Sequence, residues 1–153
     1  MSLLDKLITT LRIISKIPEN GKLSTVTPGQ VSLEEQTIMS GIWRTMTGDS
    51  REKTMLFLTQ LMNEINEVSE AVLCSKYITE YDPENIFHMN ERSKKIDQLI
   101  NLSRQLQNSK KGFVNLHSTY KSDANSASKL EEIMDKIDSQ ILTIERSLKM
   151  IKD

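Results

Sequence analysis

Apolar residues recur along most of this chain at the three- and four-residue intervals of an amphipathic helix. The first such segment predicts a helix from about Leu3 to Lys16, which Pro18 and the pair Asn20 and Gly21 bring to an end. Its apolar side chains share one helical face, which consists of Leu3, Leu4, Leu7, Ile8, Leu11 and Ile14.

The same periodicity predicts further helices over about 33–46, 50–79 and 86–120, with a turn at 81–85. Five predicted helix starts share one pattern, a capping residue with an acid in the first turn, which satisfies free backbone amides and suits the helix dipole. These starts are Ser2 with Asp5, Ser32 with Glu35, Asp49 with Glu52, Asp82 with Pro83 and Glu84, and Ser128 with Glu131.

The segment from 22 to 33 breaks the helical pattern. Leu23, Thr25 and Val26 precede a Thr-Pro-Gly-Gln turn, and Val31 and Leu33 follow it. This order predicts a small β-hairpin or an extended loop. Because an isolated hairpin is marginally stable, we expect it to lie against helices or pair with another chain.

The last helix carries the most regular pattern in the chain. Its apolar residues follow one another at alternating intervals of four and three, which makes an unbroken heptad seam. The seam consists of Leu130, Met134, Ile137, Ile141, Ile144, Leu148 and Ile151. It fits one helix of an intrachain bundle, which we favour, and it also fits an intermolecular coiled coil through which the chain would self-associate.

Together these elements predict an all-α fold. We expect an elongated bundle of antiparallel long helices, with the hairpin or loop near 22–33 and the heptad helix at the C-terminal end. Residues 1–80 form an N-terminal helical region and 81–153 a C-terminal helical hairpin, in one continuous domain. The composition fits a slender helical molecule, because 37% of the 153 residues are hydrophobic, 5% are aromatic and 27% are charged.

Charge is balanced overall but segregated locally. The net charge of −1 argues against a dedicated nucleic-acid-binding protein. Six acids and one lysine lie between Glu64 and Glu84, and seven basic residues and one acid lie between Arg92 and Lys121. We expect the two stretches to face each other within the chain. A nucleic-acid contact remains the alternative for the basic strip Arg92, Lys94, Lys95, Arg104, Lys110 and Lys111.

The residue types that catalysis needs are not found in catalytic patterns. His88 and His117 are far apart, and neither has a partner at metal-ligand spacing. The five glycines are scattered singly, so no phosphate-binding loop is present. Cys74 follows apolar neighbours and is expected to be a buried structural thiol. We therefore predict a non-enzymatic protein with no catalytic residues, metal or cofactor.

The chain shows no membrane signature. No apolar run approaches the roughly 18 residues that a spanning helix needs. The N-terminal sequence MSLLDKLITTLRIISK lacks the basic region and cleavage site of a signal peptide. We expect a cytoplasmic protein or a component of a particle that assembles inside a cell.

The segment GIWRTMTGDSREKT holds the one tryptophan, Trp43, beside Arg44 and close to Arg51. Gly48 and Asp49 there predict a corner between two helices, with the indole packed across it. Tryptophan and arginine are also the residues that most often anchor protein interfaces. Trp43, Arg44 and Arg51 are therefore candidate partner-binding residues, together with the seam residues Leu130, Met134, Ile137, Ile141, Ile144 and Leu148.

A resemblance extends these expectations. From Leu7 to Leu73 the chain has a helix ending LRIISKI, a KLSTV segment, the pair Trp43 and Arg44, and then GDSR opening a long helix. This order resembles small virion-associated proteins of large double-stranded DNA viruses. The resemblance implies a minor capsid or other virion component that binds larger coat or scaffold proteins. The alternatives are a cytoplasmic helical adaptor with one regulatory partner, and a weak nucleic-acid-associated protein that uses residues 92–121.

Overall fold

The computed structural model describes residues 2–26, 32–33 and 51–152. Over these ranges every regular element is helical and no strand forms, so the predicted all-α class is confirmed. The elements are α1 (Leu3–Ile14), a 3-10 turn (Leu23–Thr25), α2 (Arg51–Leu73), α3 (Lys76–Thr79), α4 (Ile86–Thr119) and α5 (Ala124–Lys152).

Helix α1 begins as its sequence predicts. The hydroxyl of Ser2 accepts a hydrogen bond from the Asp5 amide at 3.2 Å, and the Asp5 carboxylate accepts one from the Ser2 amide at 3.3 Å. This reciprocal pair is a capping box. The helix ends at Ile14, before Pro18. Asn20 has a φ of 59°, a left-handed conformation that asparagine tolerates better than most residues.

The predicted hairpin or extended loop is described only at its beginning. There the chain forms the 3-10 turn at Leu23–Thr25, and the Lys22 amide donates to the Thr25 hydroxyl at 2.9 Å. The rest of the predicted hairpin up to 31 lies outside the described residues. So do the helix predicted over 33–46, apart from its first residue, and the predicted helix start at Asp49.

Helix α2 is shorter than the sequence predicts. It ends at Leu73, and Ser75 starts α3 by accepting a hydrogen bond from the Tyr77 amide at 3.3 Å. The expectation of one continuous helix to Thr79 is therefore wrong. So is the expectation of a buried thiol, because Cys74 lies at this break and is exposed.

Helix α4 begins at Ile86, as its periodicity predicts, and not directly after Asp82 as the capping pattern predicts. Asn85 is the capping residue, and its side chain accepts from the His88 amide at 3.2 Å. The Asp82 carboxylate instead accepts from the Glu84 amide at 3.0 Å within the preceding turn. The polar residues 81–85 therefore form the predicted turn, but Asn85, which directly precedes the helix, caps it in place of Asp82.

Helix α5 starts four residues earlier than the predicted cap at Ser128. It begins at Ala124, and the Ala127 amide already donates to the Asp123 carbonyl at 2.9 Å. Asp123 also accepts a hydrogen bond from the Ser126 hydroxyl. Ser128 therefore lies inside the first turns of the helix.

Helices α4 and α5 form an antiparallel pair. Lys110 and Asp138 form an ion pair at 2.6 Å, while Gln107, nearer the start of α4, donates to Glu145, nearer the end of α5, at 2.9 Å. These exposed contacts set the register but each contributes little stability. The stabilising contact is the apolar seam beneath them.

The buried face of α4 follows a heptad pattern of its own. Its members are Leu99, Leu102, Leu106, Ser109, Phe113, Leu116 and, just beyond the helix, Tyr120. The periodicity of the sequence predicts a face without Leu102 and Leu116, which consists of Ile96, Leu99, Ile100, Leu106, Phe113 and Tyr120. On α5 the predicted seam is buried at five positions and partly buried at Met134 and Ile151. One connected core joins these residues to α1 and α2, in a bundle-like arrangement.

Helix α1 crosses α4 at Gly112. A Cβ atom at this position would lie 1.9 Å from the carbonyl oxygen of Ile14, so only glycine permits the approach. Two side chains of α4 continue the contact: Asn115 donates to the Ile17 carbonyl at 2.8 Å, and Thr119 donates to the Gly21 carbonyl at 2.6 Å. Glycine weakens a helix locally, yet α4 runs through Gly112 unbroken.

Candidate interaction surfaces

Of the three residues predicted at the helical corner, the structure describes one. Arg51 lies at the start of α2, and its guanidinium contacts the Asp123 carboxylate at 3.6 Å. This pair joins the starts of α2 and α5 within the chain. Trp43 and Arg44 lie outside the described residues, so packing of the indole across the corner stays a prediction.

Asp123 is the one group in the described chain whose pKa clearly departs from its ordinary value. The hydrogen bond from the Ser126 hydroxyl lowers the pKa most. Burial acts in the opposite direction, and the nearby Arg51 charge and the backbone amides of Ser126 and Asn125 lower the pKa further. The carboxylate is therefore held in its charged form at the start of α5, where a helix dipole favours it.

The seam residues predicted to bind partners face this chain's own helices. Leu130, Ile137 and Ile144 are fully buried or nearly so, and the other three, Met134, Ile141 and Leu148, belong to or pack against the same core. In the described chain these side chains are therefore buried or partly buried within the chain's own core. Binding of a second chain through them stays a prediction.

The acidic and basic stretches do not face each other as expected. Both are fully described, and no ion pair joins residues 64–84 to residues 92–121. The expectation is wrong because α2 packs mainly on α5, while α4 contacts α5 and α1. The α2 carboxylates Glu64, Glu67 and Glu70 are therefore left exposed to solvent.

The basic strip of α4 does not form a single face. Arg104 and Lys111 are seven residues apart and share one side of the helix, but Lys94 and Lys95 are consecutive and point about 100° apart. Lys110 is paired with Asp138. A continuous basic track for a nucleic-acid backbone is therefore not formed by these side chains.

An apolar and aromatic surface is exposed where α3 meets the start of α4. We call this the end surface, and it consists of Tyr77, Tyr81, Ile86, Phe87 and Met89. Ile86, Phe87 and Met89 are 74%, 59% and 47% exposed, although large apolar side chains are usually inside. Three such residues within one helical turn are a local concentration rather than isolated exposed side chains.

The end surface is held in place by contacts within the chain. The Tyr77 ring packs edge-on against Phe87, with centroids 5.6 Å apart, and against His88, with centroids 5.1 Å apart. The His88 Nδ1 atom accepts a hydrogen bond from the Asp82 amide at 3.3 Å, which fixes the turn before α4. The geometry is therefore set before any partner arrives.

A charge also ties the end surface to the rest of the bundle. The Arg92 guanidinium lies 4.6 Å from the centroid of the Tyr81 ring and donates to the carbonyl of Ile151 near the end of α5. This end of the molecule thus joins α3, α4 and α5. The sequence contained a signal for it, since IFHM follows Asn85 with apolar residues that do not continue the buried heptad face.

The histidines and the cysteine form no metal centre in the described chain. His117 Nε2 lies 3.1 Å from the Glu131 carboxylate and links α4 to α5. No group of three potential ligand side chains occurs within 2–26, 32–33 and 51–152. Nor does any helix in these ranges have the length and apolar character needed to cross a membrane.

Comparison with protein-family models, with curated proteins and with solved structures finds no match to this chain.

Proposed function

We propose that this protein is a non-enzymatic interaction protein that binds another protein through the end surface. The supporting observation is the exposure of Ile86, Phe87 and Met89 at a position where the surrounding chain is ordered by caps and ring contacts. Aromatic residues and methionine are enriched at protein interfaces. A preformed surface also avoids part of the ordering cost of binding.

The resemblance of residues 7–73 to small virion-associated proteins supplies a setting for this proposal. In that setting the protein is a minor capsid or other assembly component, and its partners are coat or scaffold proteins. The heptad seam then serves to build a rigid body, and the end surface makes the contact. The adaptor alternative uses the same surface but a single regulatory partner, so the two differ in the number and stoichiometry of partners.

A comparison of two exposed apolar residues tests the proposal. Tagged wild-type protein, the Phe87→Ser variant and the Leu142→Ser variant are purified from the native source after mild cross-linking, and bound proteins are quantified by mass spectrometry. Leu142 is a matched control because it is exposed to a similar extent, 46%, but lies on α5 away from the end surface. We expect the Phe87→Ser variant to recover at least tenfold less bound partner than the wild-type protein. The Leu142→Ser variant should recover as much as the wild type.

The identity and stoichiometry of the bound proteins also distinguish the virion component from the adaptor. Several coat or scaffold proteins at fixed stoichiometry support the virion component, and one substoichiometric partner supports the adaptor. Equal recovery of partners by all three proteins would contradict binding through the end surface.

A further inference from the structure

We propose that the partner segment which binds the end surface is a basic amphipathic helix. This inference rests on the proposed function and adds the chemistry of the partner. It follows from the charge that surrounds the apolar residues rather than from their exposure.

Carboxylates border the end surface on its own elements. Glu80, Asp82 and Glu84 lie in the connection between Tyr77 and Ile86, and all three are exposed. None of them forms an ion pair with another residue that the structure describes. Asp82 accepts one backbone hydrogen bond, from the Glu84 amide. Exposed carboxylates beside an apolar surface favour a partner that carries positive charge.

The basic groups at this end are largely directed onto aromatic rings. The Lys76 ammonium lies 5.3 Å from the Tyr77 ring centroid, and the Arg92 guanidinium lies over Tyr81. Lys94, exposed on α4, is paired with Glu91 at 3.3 Å, and Lys149 on α5 is also exposed. The rim therefore presents more free negative than positive charge to an incoming chain.

The apolar positions favour a helical occupant. Ile86 and Met89 are three residues apart on one side of α4, and Phe87 continues the surface onto α3 through Tyr77. Such a short, broad surface suits apolar anchors spaced three and four residues apart along a partner helix. The described residues offer no exposed strand edge for pairing with an extended segment. Lysine and arginine on the flanks of the partner helix would then meet Glu80 and Glu84.

A displayed library of 18-residue peptides tests the chemistry without assuming a sequence. Leucine and phenylalanine occupy helically spaced positions, and the other positions are randomised among Lys, Glu, Gln and Ser. The probe for selection is the full chain with an environment-sensitive dye on Cys74, its one cysteine, which is exposed at the break between α2 and α3. We expect enriched peptides to carry a net positive charge.

Two pairs of charge reversals then locate the contact. The double substitution Glu80→Lys with Glu84→Lys is expected to lower the affinity for the enriched peptides by about three- to tenfold at low salt. The reduction should be smaller at high salt, because exposed charges are screened. Glu64→Lys with Glu67→Lys changes the net charge equally on the outer face of α2 and is expected to leave binding unchanged. Phe87→Ser is expected to abolish binding.

The outcomes distinguish this inference from the proposed function. Enriched peptides that are neutral or acidic but still lose binding in Phe87→Ser would overturn the basic partner and leave the end surface as an interface. Equal weakening by both pairs of reversals would also overturn it, because net charge alone would then explain the binding. A library without enrichment would overturn the helical partner alone, whereas peptide binding that survives Phe87→Ser would contradict both.

Discussion

At the scale of single residues, Gly112 permits the close crossing of α1 over α4. Glycine inside a helix normally costs about 1 kcal/mol relative to alanine. Glycine is nevertheless required at position 112, because any side chain there would collide with the Ile14 carbonyl. The crossing also brings the buried side chain of Asn115 next to the carbonyl of Ile17, which lies beyond the end of α1. Asn115 donates a hydrogen bond to this carbonyl.

We therefore predict that Gly112→Ala destabilises the protein, against the usual sign for this substitution. The added methyl group forces α1 and α4 apart, and overpacking of this kind costs about 1–3 kcal/mol. Urea denaturation measures the change. Asn108→Ala, at an exposed position of the same helix, is the control and should be neutral or slightly stabilising. A stabilised Gly112→Ala variant would contradict the close crossing.

Asp123 gives stability a defined pH dependence. Its pKa in the folded protein lies below the ordinary value of 3.8, chiefly because the Ser126 hydroxyl donates to the carboxylate. A depressed pKa contributes stability above the unfolded-state value, and that contribution is lost as the pH falls through the folded-state value. We predict that wild type has a higher urea midpoint than Asp123→Asn near neutral pH and that the difference closes below about pH 4. A difference that persists to pH 2 would show that the charge is not its source.

Local sequence signals predicted some residues and misplaced others. The Ser2 and Asp5 capping box was predictable because both halves of its pattern lie within one turn. The predicted starts at Asp82 and Ser128 were wrong because similar capping side chains lay nearby, Asn85 and Asp123, and tertiary packing selects among them. Cys74 was assigned to the interior from its apolar neighbours, but the chain leaves the helix at that residue.

At the scale of elements, the sequence predicts an apolar face along α5. Its heptad spacing fixes one face, and the structure buries that face against the chain's own core. The matching face of α4 was only partly predictable. Ser109 and Gly112 also belong to this buried face, but they are not apolar and therefore interrupt its hydrophobic periodicity. For this reason the periodicity does not reveal that Leu102 and Leu116 belong to the same face.

The neighbours Ile141 and Leu142 allow the seam to be tested with a matched pair. Ile141 is buried, and Leu142, which points about 100° away from it around the same helix, is 46% exposed. We predict that Ile141→Asn lowers the free energy of unfolding by about 2–5 kcal/mol, because it removes a buried apolar side chain and buries an amide. Leu142→Asn should change it by less than about 1 kcal/mol.

Light scattering during size-exclusion chromatography gives the second readout for this pair. If the seam is intrachain, Ile141→Asn reduces stability without changing the mass of the folded species. A wild-type oligomer that dissociates on this substitution would instead show that the seam joins separate chains.

At the scale of the whole molecule, charge pattern proved a poor guide to helix pairing. The acidic and basic stretches are adjacent along the chain, which favoured pairing across the turn. Packing is decided by buried apolar area, and α2 turns its apolar face to α5 instead. Exposed ion pairs contribute too little to reverse that choice. The acids of α2 and of the α3–α4 connection are consequently available at the surface.

The end surface depends on this same arrangement. In the sequence, IFHM is simply the apolar beginning of a helix. The packing shows that the buried face of α4 begins only at Leu99. The candidate partner residues Trp43 and Arg44 belong to a different part of the chain, outside the described ranges. The end surface is therefore a second candidate interface, found from structure, beside the corner that was proposed from sequence.

The most direct test of the end surface is photo-cross-linking from position 87. A photoreactive phenylalanine analogue replaces Phe87 in one protein and Leu142 in a control, each expressed in the native source, and adducts are identified by mass spectrometry. Binding through the end surface predicts an adduct to one defined partner segment from position 87 and none from position 142. Adducts from position 142 alone, or no adduct from position 87 in protein that remains folded, would contradict it.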